Sequence, residues 1–215
     1  MNKRSLVIAL LLSGTLAGQM AARAQEVVQF PKGPAIWTVD VTHSPIPRGG
    51  PPTYGSPVTK EVVSQDAQKR LTQITTSDGI TSEVWSITAT NTLLMKAANG
   101  NVLGVPMGVV GGIIYDLPYS ESAFSWITPT MLVEKDPISY NGKGCFHYKG
   151  NARQRVSAIS KPTPYTAEAW IDAKTLLPVA VDNGTWLATY TFQPPPYPAL
   201  TLPPEFQKDF DRLSR

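Results

Sequence analysis

The chain has 215 residues, of which 42% are hydrophobic and 16% charged, and its 19 basic and 16 acidic residues give a net charge of +3. Residues 1–24 contain three of the basic residues and none of the acidic ones, so the remaining chain is neutral. This balance gives no electrostatic reason to expect nucleic acid or an anionic surface as a partner. The length suffices for one domain with a substantial core.

The first 24 residues have the pattern of a secretory signal peptide. Lys3 and Arg4 precede the apolar run Leu6–Leu12, and Ala22-Arg23-Ala24 is a small-residue cleavage site. The apolar run is shorter than the roughly 20 residues that a membrane-spanning helix needs. We therefore expect cleavage near Ala24 and a soluble periplasmic or secreted domain over residues 25–215, without a transmembrane anchor.

Short strands are predicted through the first half of this domain. Alternation over residues 35–41 places Ala35, Trp37, Val39 and Val41 on one face of a strand. Strand pairs are predicted at 69–76 with 80–88 and at 92–97 with 102–105, because each pair flanks a short turn that contains glycine. The proline-rich stretch 44–57 is predicted to be a loop, since proline cannot donate ladder hydrogen bonds.

A glycine-rich apolar stretch follows and has no clear period. Gly104–Gly112 lacks the Gly-Lys-Ser/Thr ending of a phosphate loop and also misses the dinucleotide-binding spacing. Two interpretations stay open for it. It is either a closely packed core segment or an apolar cover over a cavity, together with residues 119–127, which could form a short helix.

The residues that usually carry catalysis or bind metals are sparse. His43 and His147 lie in no familiar motif, and they lack the spacing with cysteine or carboxylate side chains that a zinc site needs. Cys145 is the only cysteine, so no internal disulfide can form, and we expect it to be buried in a strand around residues 145–149. The sequence therefore predicts no catalytic residue, no cofactor and no metal site.

The densest group of basic residues lies on and after the same strand. We interpret it as a solvated strand edge, because charge discourages unwanted strand pairing. Its members are Lys143, Lys149, Arg153 and Arg155.

Residues 166–192 predict three antiparallel strands. The first alternates Ala167, Ala169 and Ile171 with polar or larger residues, and the third does the same around Ala188 and Tyr190. The turns are predicted at 172–175 and 182–184; the second contains Asn-Gly, which adopts the positive φ of tight hairpin turns at low cost.

Part of this segment resembles a known family. Ala169-Trp-Ile-Asp-Ala-Lys-Thr-Leu-Leu-Pro178, followed by a glycine turn and Tyr190-Thr-Phe192, is similar to the Trp-Ile/Val-Asp-x-x-Thr-x-Leu-Pro hairpin of periplasmic outer-membrane lipoprotein carriers. The resemblance covers about a third of the chain. It implies a strongly curved antiparallel half-barrel with helices over its concave face and, as cargo, a lipid or a lipoprotein acyl chain.

The end of the chain predicts a second proline-rich loop and a helix. Residues 193–204 contain repeated prolines that favour a rigid connector. After this loop Phe206, Phe210 and Leu213 recur at helical spacing behind a proline start. We therefore expect a short C-terminal helix.

In total the sequence predicts up to nine strands in a mainly β domain with a few short helices. A single strongly curved antiparallel sheet is favoured, with a closed barrel or a β-sandwich as the alternative. The favoured function is non-enzymatic binding of a lipid or another apolar ligand; a protein-interaction or sensing module and, after it, a hydrolase are the alternatives. The candidate ligand-binding residues are Trp37, Trp85, Met107, Val109 and Trp126.

Overall fold

A computed structural model of the chain describes residues 27–43, 56–96, 102–106, 119–128, 131, 137–154 and 163–213. Within these ranges the chain forms eleven strands, two short 3-10 turns (Thr88–Thr90 and Glu121–Phe124) and one α-helix, α1 (Pro204–Leu213). The strands are β1 (Ala35–His43), β2 (Val58–Gln65), β3 (Lys69–Thr76), β4 (Thr81–Ile87), β5 (Thr92–Lys96), β6 (Val102–Pro106), β7 (Ile138–Tyr140), β8 (Lys143–Gln154), β9 (Thr163–Asp172), β10 (Pro178–Asp182) and β11 (Trp186–Phe192).

All eleven strands join one antiparallel sheet. Their order is β6-β5-β4-β3-β2-β1-β11-β10-β9-β8-β7, so two meanders meet where β1 pairs with β11. Neither terminal strand pairs with the other in the part of the chain that the structure describes, and the sheet is not closed into a barrel. The mainly β, antiparallel prediction is confirmed, and the strand count of nine is corrected to eleven because β2 and β7 were not anticipated.

The predicted hairpins around β9, β10 and β11 are confirmed. In the first turn the Asp172 carboxylate accepts hydrogen bonds from the backbone N–H groups of Lys174 and Thr175, at 2.8 and 3.0 Å. In the second turn Gly184 has φ of +81°, the conformation for which glycine is suited. The Asn183 side chain accepts hydrogen bonds from two N–H groups just beyond it, which holds the turn together. These side chains set the register of the hairpins.

One face of the sheet carries the larger core. Residues directly opposite in the ladder share a face, so the register places Trp37 of β1 with Val63 of β2 and Phe192 of β11. We call this the pocket face; its buried members in the middle of the sheet include Ala35, Trp37, Val39, Val41, Val63, Ala169, Ile171, Val181, Ala188 and Tyr190. The predicted alternation of β1, β9 and β11 is therefore confirmed.

The opposite face is buried at the β3–β6 end of the sheet, and we call it the helix face. Trp85, Leu94 and Val102 form a second core there with Leu202 and Phe206, which come from α1 and the connector before it. Asp66 and Lys69 also bond Leu200 of this connector through its N–H and carbonyl groups. The predicted C-terminal helix is confirmed, and its role is to cover the helix face. No helix in the described ranges combines the length and apolar character needed to cross a membrane.

Candidate functional site

A pocket of about 730 Å³ lies where two segments cover the pocket face. These segments are residues 27–32 and 119–128, and we call them the cover. The lining is mostly apolar and also includes one residue of the β9–β10 turn; its members are Val27, Val28, Gln29, Phe30, Pro31, Lys32, Glu121, Phe124, Ile127 and Leu177. This volume lies within the range of about 300–1,000 Å³ that is usual for small-molecule sites.

Aromatic rings link the pocket to the core below it. Phe30 packs against Trp37, Phe124 and Tyr190, with ring centroids 6.1, 5.8 and 6.1 Å away. Phe124 also lies 5.6 Å from Tyr190. Because Phe30 and Phe124 line the pocket while Trp37 and Tyr190 are buried in the sheet, a ligand would rest on rings held by the fold.

The polar part of the lining comes from Gln29, Lys32 and Glu121. Lys32 and Glu121 are exposed, so their charges lie on the solvent side of the pocket. The backbone N–H of Gln29 donates to the carbonyl oxygen of Leu176 at 2.9 Å, which ties the first cover segment to the β9–β10 turn. The pocket thus combines an apolar interior with one positive and one negative group near its opening.

A buried carboxyl group lies on the pocket face, in the same part of the sheet as Tyr190. Glu61 of β2 is opposite Val39, which on its other side is opposite Tyr190, so these side chains form a row across the pocket face. Glu61 is 1% exposed, and its Oε2 has no hydrogen-bond partner among the described residues. Burial raises the pKa of Glu61 to about 7, although the nearby charge of Arg70 acts to lower it. A neutral carboxyl is therefore the form that this site favours.

Two buried tyrosines lie close to this carboxyl group. The Tyr190 hydroxyl donates to the carbonyl oxygen of Tyr119 at 2.9 Å, and the Tyr119 ring lies edge-on to Trp186 at 4.9 Å. Burial raises the pKa of both phenols, and the charge of Glu61 raises each further. Both tyrosines therefore stay neutral through the physiological pH range, and the Tyr190 hydroxyl keeps the proton that it donates.

The structure brings together only some of the predicted ligand-binding residues. Trp37 and Trp126 both belong to the pocket-face core, but neither lines the pocket itself. Trp85 lies on the helix face against Phe206, so it is not brought together with Trp37. Met107 and Val109 lie outside the described residues.

Trp126 helps to fix the second cover segment. Its indole N–H donates to the carbonyl oxygen of Ala123 at 2.9 Å, and its ring packs against Gly150 of β8. A Cβ atom at position 150 would lie 3.2 Å from that ring and 2.5 Å from the Met131 side chain. Glycine at this position therefore allows the cover to approach β8 closely.

His147 lies on the side of β8 that faces away from the pocket-face core. Its ring stacks on Trp170 at 5.0 Å, and Tyr140 stacks on Trp170 at 4.4 Å. The His147 Nε2 lies 2.9 Å from the Glu168 carboxylate, which also pairs with Lys149 at 2.6 Å. These contacts give His147 a structural role in the cross-strand packing of β7, β8 and β9.

Cys145 and the basic residues near it are also partly described. Cys145 is buried, as predicted, and burial raises the pKa of its thiol. Lys143 and Lys149 are exposed, which agrees with a solvated edge. The side chain of Arg153 and the whole of Arg155 lie outside the described part of the structure. No group of three or more His, Cys, Asp or Glu side chains in the described ranges is arranged to hold a metal ion.

The sequence reasoning missed the first cover segment. Val27, Val28 and Phe30 form a short apolar run immediately after the predicted cleavage region. This run, followed by Pro31, was the available signal, because an exposed group of apolar side chains is usually covered by another part of the protein or by a partner. Its contact with Phe124 depends on tertiary packing between distant segments, which no local pattern encodes.

No protein-family model matches the chain, and no curated protein is significantly similar to it. The similarity of the 169–192 hairpin to lipoprotein carriers therefore stays an expectation from the motif.

Proposed function

We propose that this is an exported, non-enzymatic binding protein that holds an apolar ligand, such as a lipid or a lipoprotein acyl chain, in the pocket between the two segments of its cover. The observation that carries the proposal is the apolar lining of a pocket of about 730 Å³ over a buried aromatic core. The strongly curved half-barrel form, the signal peptide and the periplasmic or secreted location belong to the same proposal.

The ligand class follows from the distribution of polar groups. Seven of the ten lining residues are apolar, whereas Lys32 and Glu121 are exposed near the opening. An amphiphile with one alkyl chain fits this arrangement, because its chain would replace water inside and its head group would stay with the charged side chains. Burying ten methylene groups contributes about 8 kcal/mol, which is comparable with the association cost of about 4–15 kcal/mol. Only the lower part of that cost range leaves a net gain, so we expect binding to be weak and reversible.

A charge placed in the pocket lining is expected to weaken ligand binding without unfolding the sheet. In Val28→Asp and Ile127→Asp, a carboxylate replaces a half-buried apolar side chain on the cover, while every strand of the sheet is unchanged. Loss of one buried aliphatic side chain, about 1.5–3 kcal/mol, corresponds to at least a tenfold increase in the dissociation constant. Displacement of a neutral naphthylamine dye by dodecanoate measures that constant.

Ile80→Asp is the matched control, because Ile80 is 61% exposed in the β3–β4 turn and does not line the pocket. It should bind the dye as the original chain does. Equal affinities for all three variants would show that the dye binds elsewhere. Absence of saturable binding to the original chain would instead favour a protein-interaction or sensing function that uses the surface of the sheet.

A further inference from the structure

Glu61 occupies a position where a strand of this kind normally places an apolar side chain. Its neighbours across the ladder are Val39 on β1 and Ile74 on β3, and the buried pocket-face side chains of β1, from Ala35 to Val41, are all apolar. The side chain is almost fully buried, and Oε2 lacks a partner among the described residues. An ionised carboxylate in such a place loses its hydration without replacement, which is strongly unfavourable.

The titratable and charged groups around Glu61 come from three elements. Arg70 lies on β3, and its guanidinium is 5.2 Å from the centre of the Trp37 ring, with Nε buried and unpartnered. Tyr119 comes from the cover and Tyr190 from β11, and both are neutral hydroxyl groups. Only Arg70 favours the charged form of Glu61, and its effect is smaller than that of burial.

Tyr190, which is bonded to the cover, lies two strands from Glu61 on the same face of the sheet. Glu61 and Tyr190 flank Val39 in adjacent ladder positions, so their backbones are about 10 Å apart, within reach of two long side chains. Tyr190 bonds the backbone of Tyr119 and supports Phe30 and Phe124, which belong to the cover. The strands around Glu61 are fixed by ladder bonds, whereas the second cover segment packs on the sheet through its side chains. Hydration of an ionised Glu61 would therefore loosen the cover before the sheet.

We propose that Glu61 is a proton-operated latch: the two cover segments are held on the sheet around the pocket when this carboxyl group is protonated and loosen when it ionises. The latch regulates the pocket whose ligand binding is proposed above, and so rests on that function. Glu61 ionises more easily when the cover is loosened. By linkage, if the ligand needs the closed cover, the protein must bind that ligand more weakly as pH rises.

The direction of the pH effect follows from the raised pKa of Glu61. Between the ordinary value of 4.5 and the folded value of about 7, the folded protein retains a proton that the unfolded chain releases. The stabilisation is complete below pH 4.5, falls as pH rises towards 7 and levels off above it. The equilibrium constant for unfolding is expected to rise on the order of 100-fold over this window because of Glu61.

Glu61→Gln tests the latch, because glutamine has nearly the same shape and cannot ionise. At pH 8 hydrogen exchange in residues 27–32 and 119–128 should be slower in this variant than in the original chain, whereas at pH 5 the two should match. The dye should also bind the variant more tightly at pH 8, by several-fold. Glu83→Gln is the matched control, since Glu83 is half-buried on the helix-face side of β4, bonded to Gln73, and should behave as the original chain.

The outcomes separate the latch from the proposed function. Slower exchange in Glu61→Gln at pH 8, with no dye bound by any variant at either pH, would support the latch and refute ligand binding. Saturable dye binding with identical exchange and affinity in Glu61→Gln and the original chain at pH 8 would overturn the latch while the proposed function stands.

Discussion

Replacement of Trp37 by alanine is expected to lower the free energy of unfolding by about 4 kcal/mol, within the range of about 3–5 kcal/mol for truncation of a large buried aromatic side chain. Trp37 is 1% exposed and lies where β1 joins the two halves of the sheet. Its ring contacts Phe30 and Phe192, and the Arg70 guanidinium lies over it. The loss would be a large part of the total stability of a domain, which is about 5–15 kcal/mol. Urea unfolding followed by far-ultraviolet circular dichroism measures it.

Trp37→Phe is the matched control for this prediction. It keeps a ring in the same place and should lose clearly less stability than the alanine variant, because most of the contact with Phe30 remains. Ile80→Ala, at an exposed position, should change stability by no more than about 0.5 kcal/mol. A loss below about 1 kcal/mol in Trp37→Ala would show that the pocket-face core is not where the structure places it.

Replacement of Phe206 by alanine is expected to release α1 and to cost about 3–5 kcal/mol. Phe206 has no exposed surface, and its ring lies 6.2 Å from Trp85 at the centre of the helix-face core. A helix of ten residues is marginal in isolation, so α1 depends on this contact. Hydrogen exchange should show faster exchange of the amides of residues 207–213 and of β5 and β6, against which α1 packs.

The same variant should leave the pocket intact, because the helix face and the pocket face are on opposite sides of the sheet. At a temperature where Phe206→Ala is still folded, its affinity for the dye should equal that of the original chain. Lys208→Ala, at an exposed position on α1, should affect neither property. An affinity lowered in parallel with the loss of α1 would contradict the separation of the two cores.

Most of the sheet could be predicted because alternation is a local property. In β1, β9 and β11 apolar or small residues alternate with other residues over most of each strand, and Trp37, Ala169 and Tyr190 of these runs lie in the pocket-face core. β2 was missed because Glu61 takes a core position and Lys60 precedes it, which breaks the pattern that identifies a half-buried strand. The position that hid the strand is the one for which we infer a function.

The faces of the tryptophans could not be predicted from local patterns. Paired residues in neighbouring strands share a face, and Trp37 is linked to Val84 through Val63 and Thr72. Val84 therefore lies on the pocket face with Trp37. Trp85, the next residue in β4, points to the helix face. This result depends on the register of three successive ladders, and a shift of one residue in any of them would reverse it. The pocket was unpredictable for a related reason, since its lining comes from segments far apart in the chain.

The proposed function requires that an alkyl chain lie between the two cover segments. A fatty acid that carries a photoactivatable diazirine on its alkyl chain tests it directly, with cross-linked peptides identified by mass spectrometry. We expect saturable labelling of about one molecule per chain, in peptides that contain residues 27–32 and 119–128, and we expect excess dodecanoate to suppress it. Labelling that does not saturate, or that falls mainly on exposed apolar residues such as Ile80 and Leu103, would contradict it.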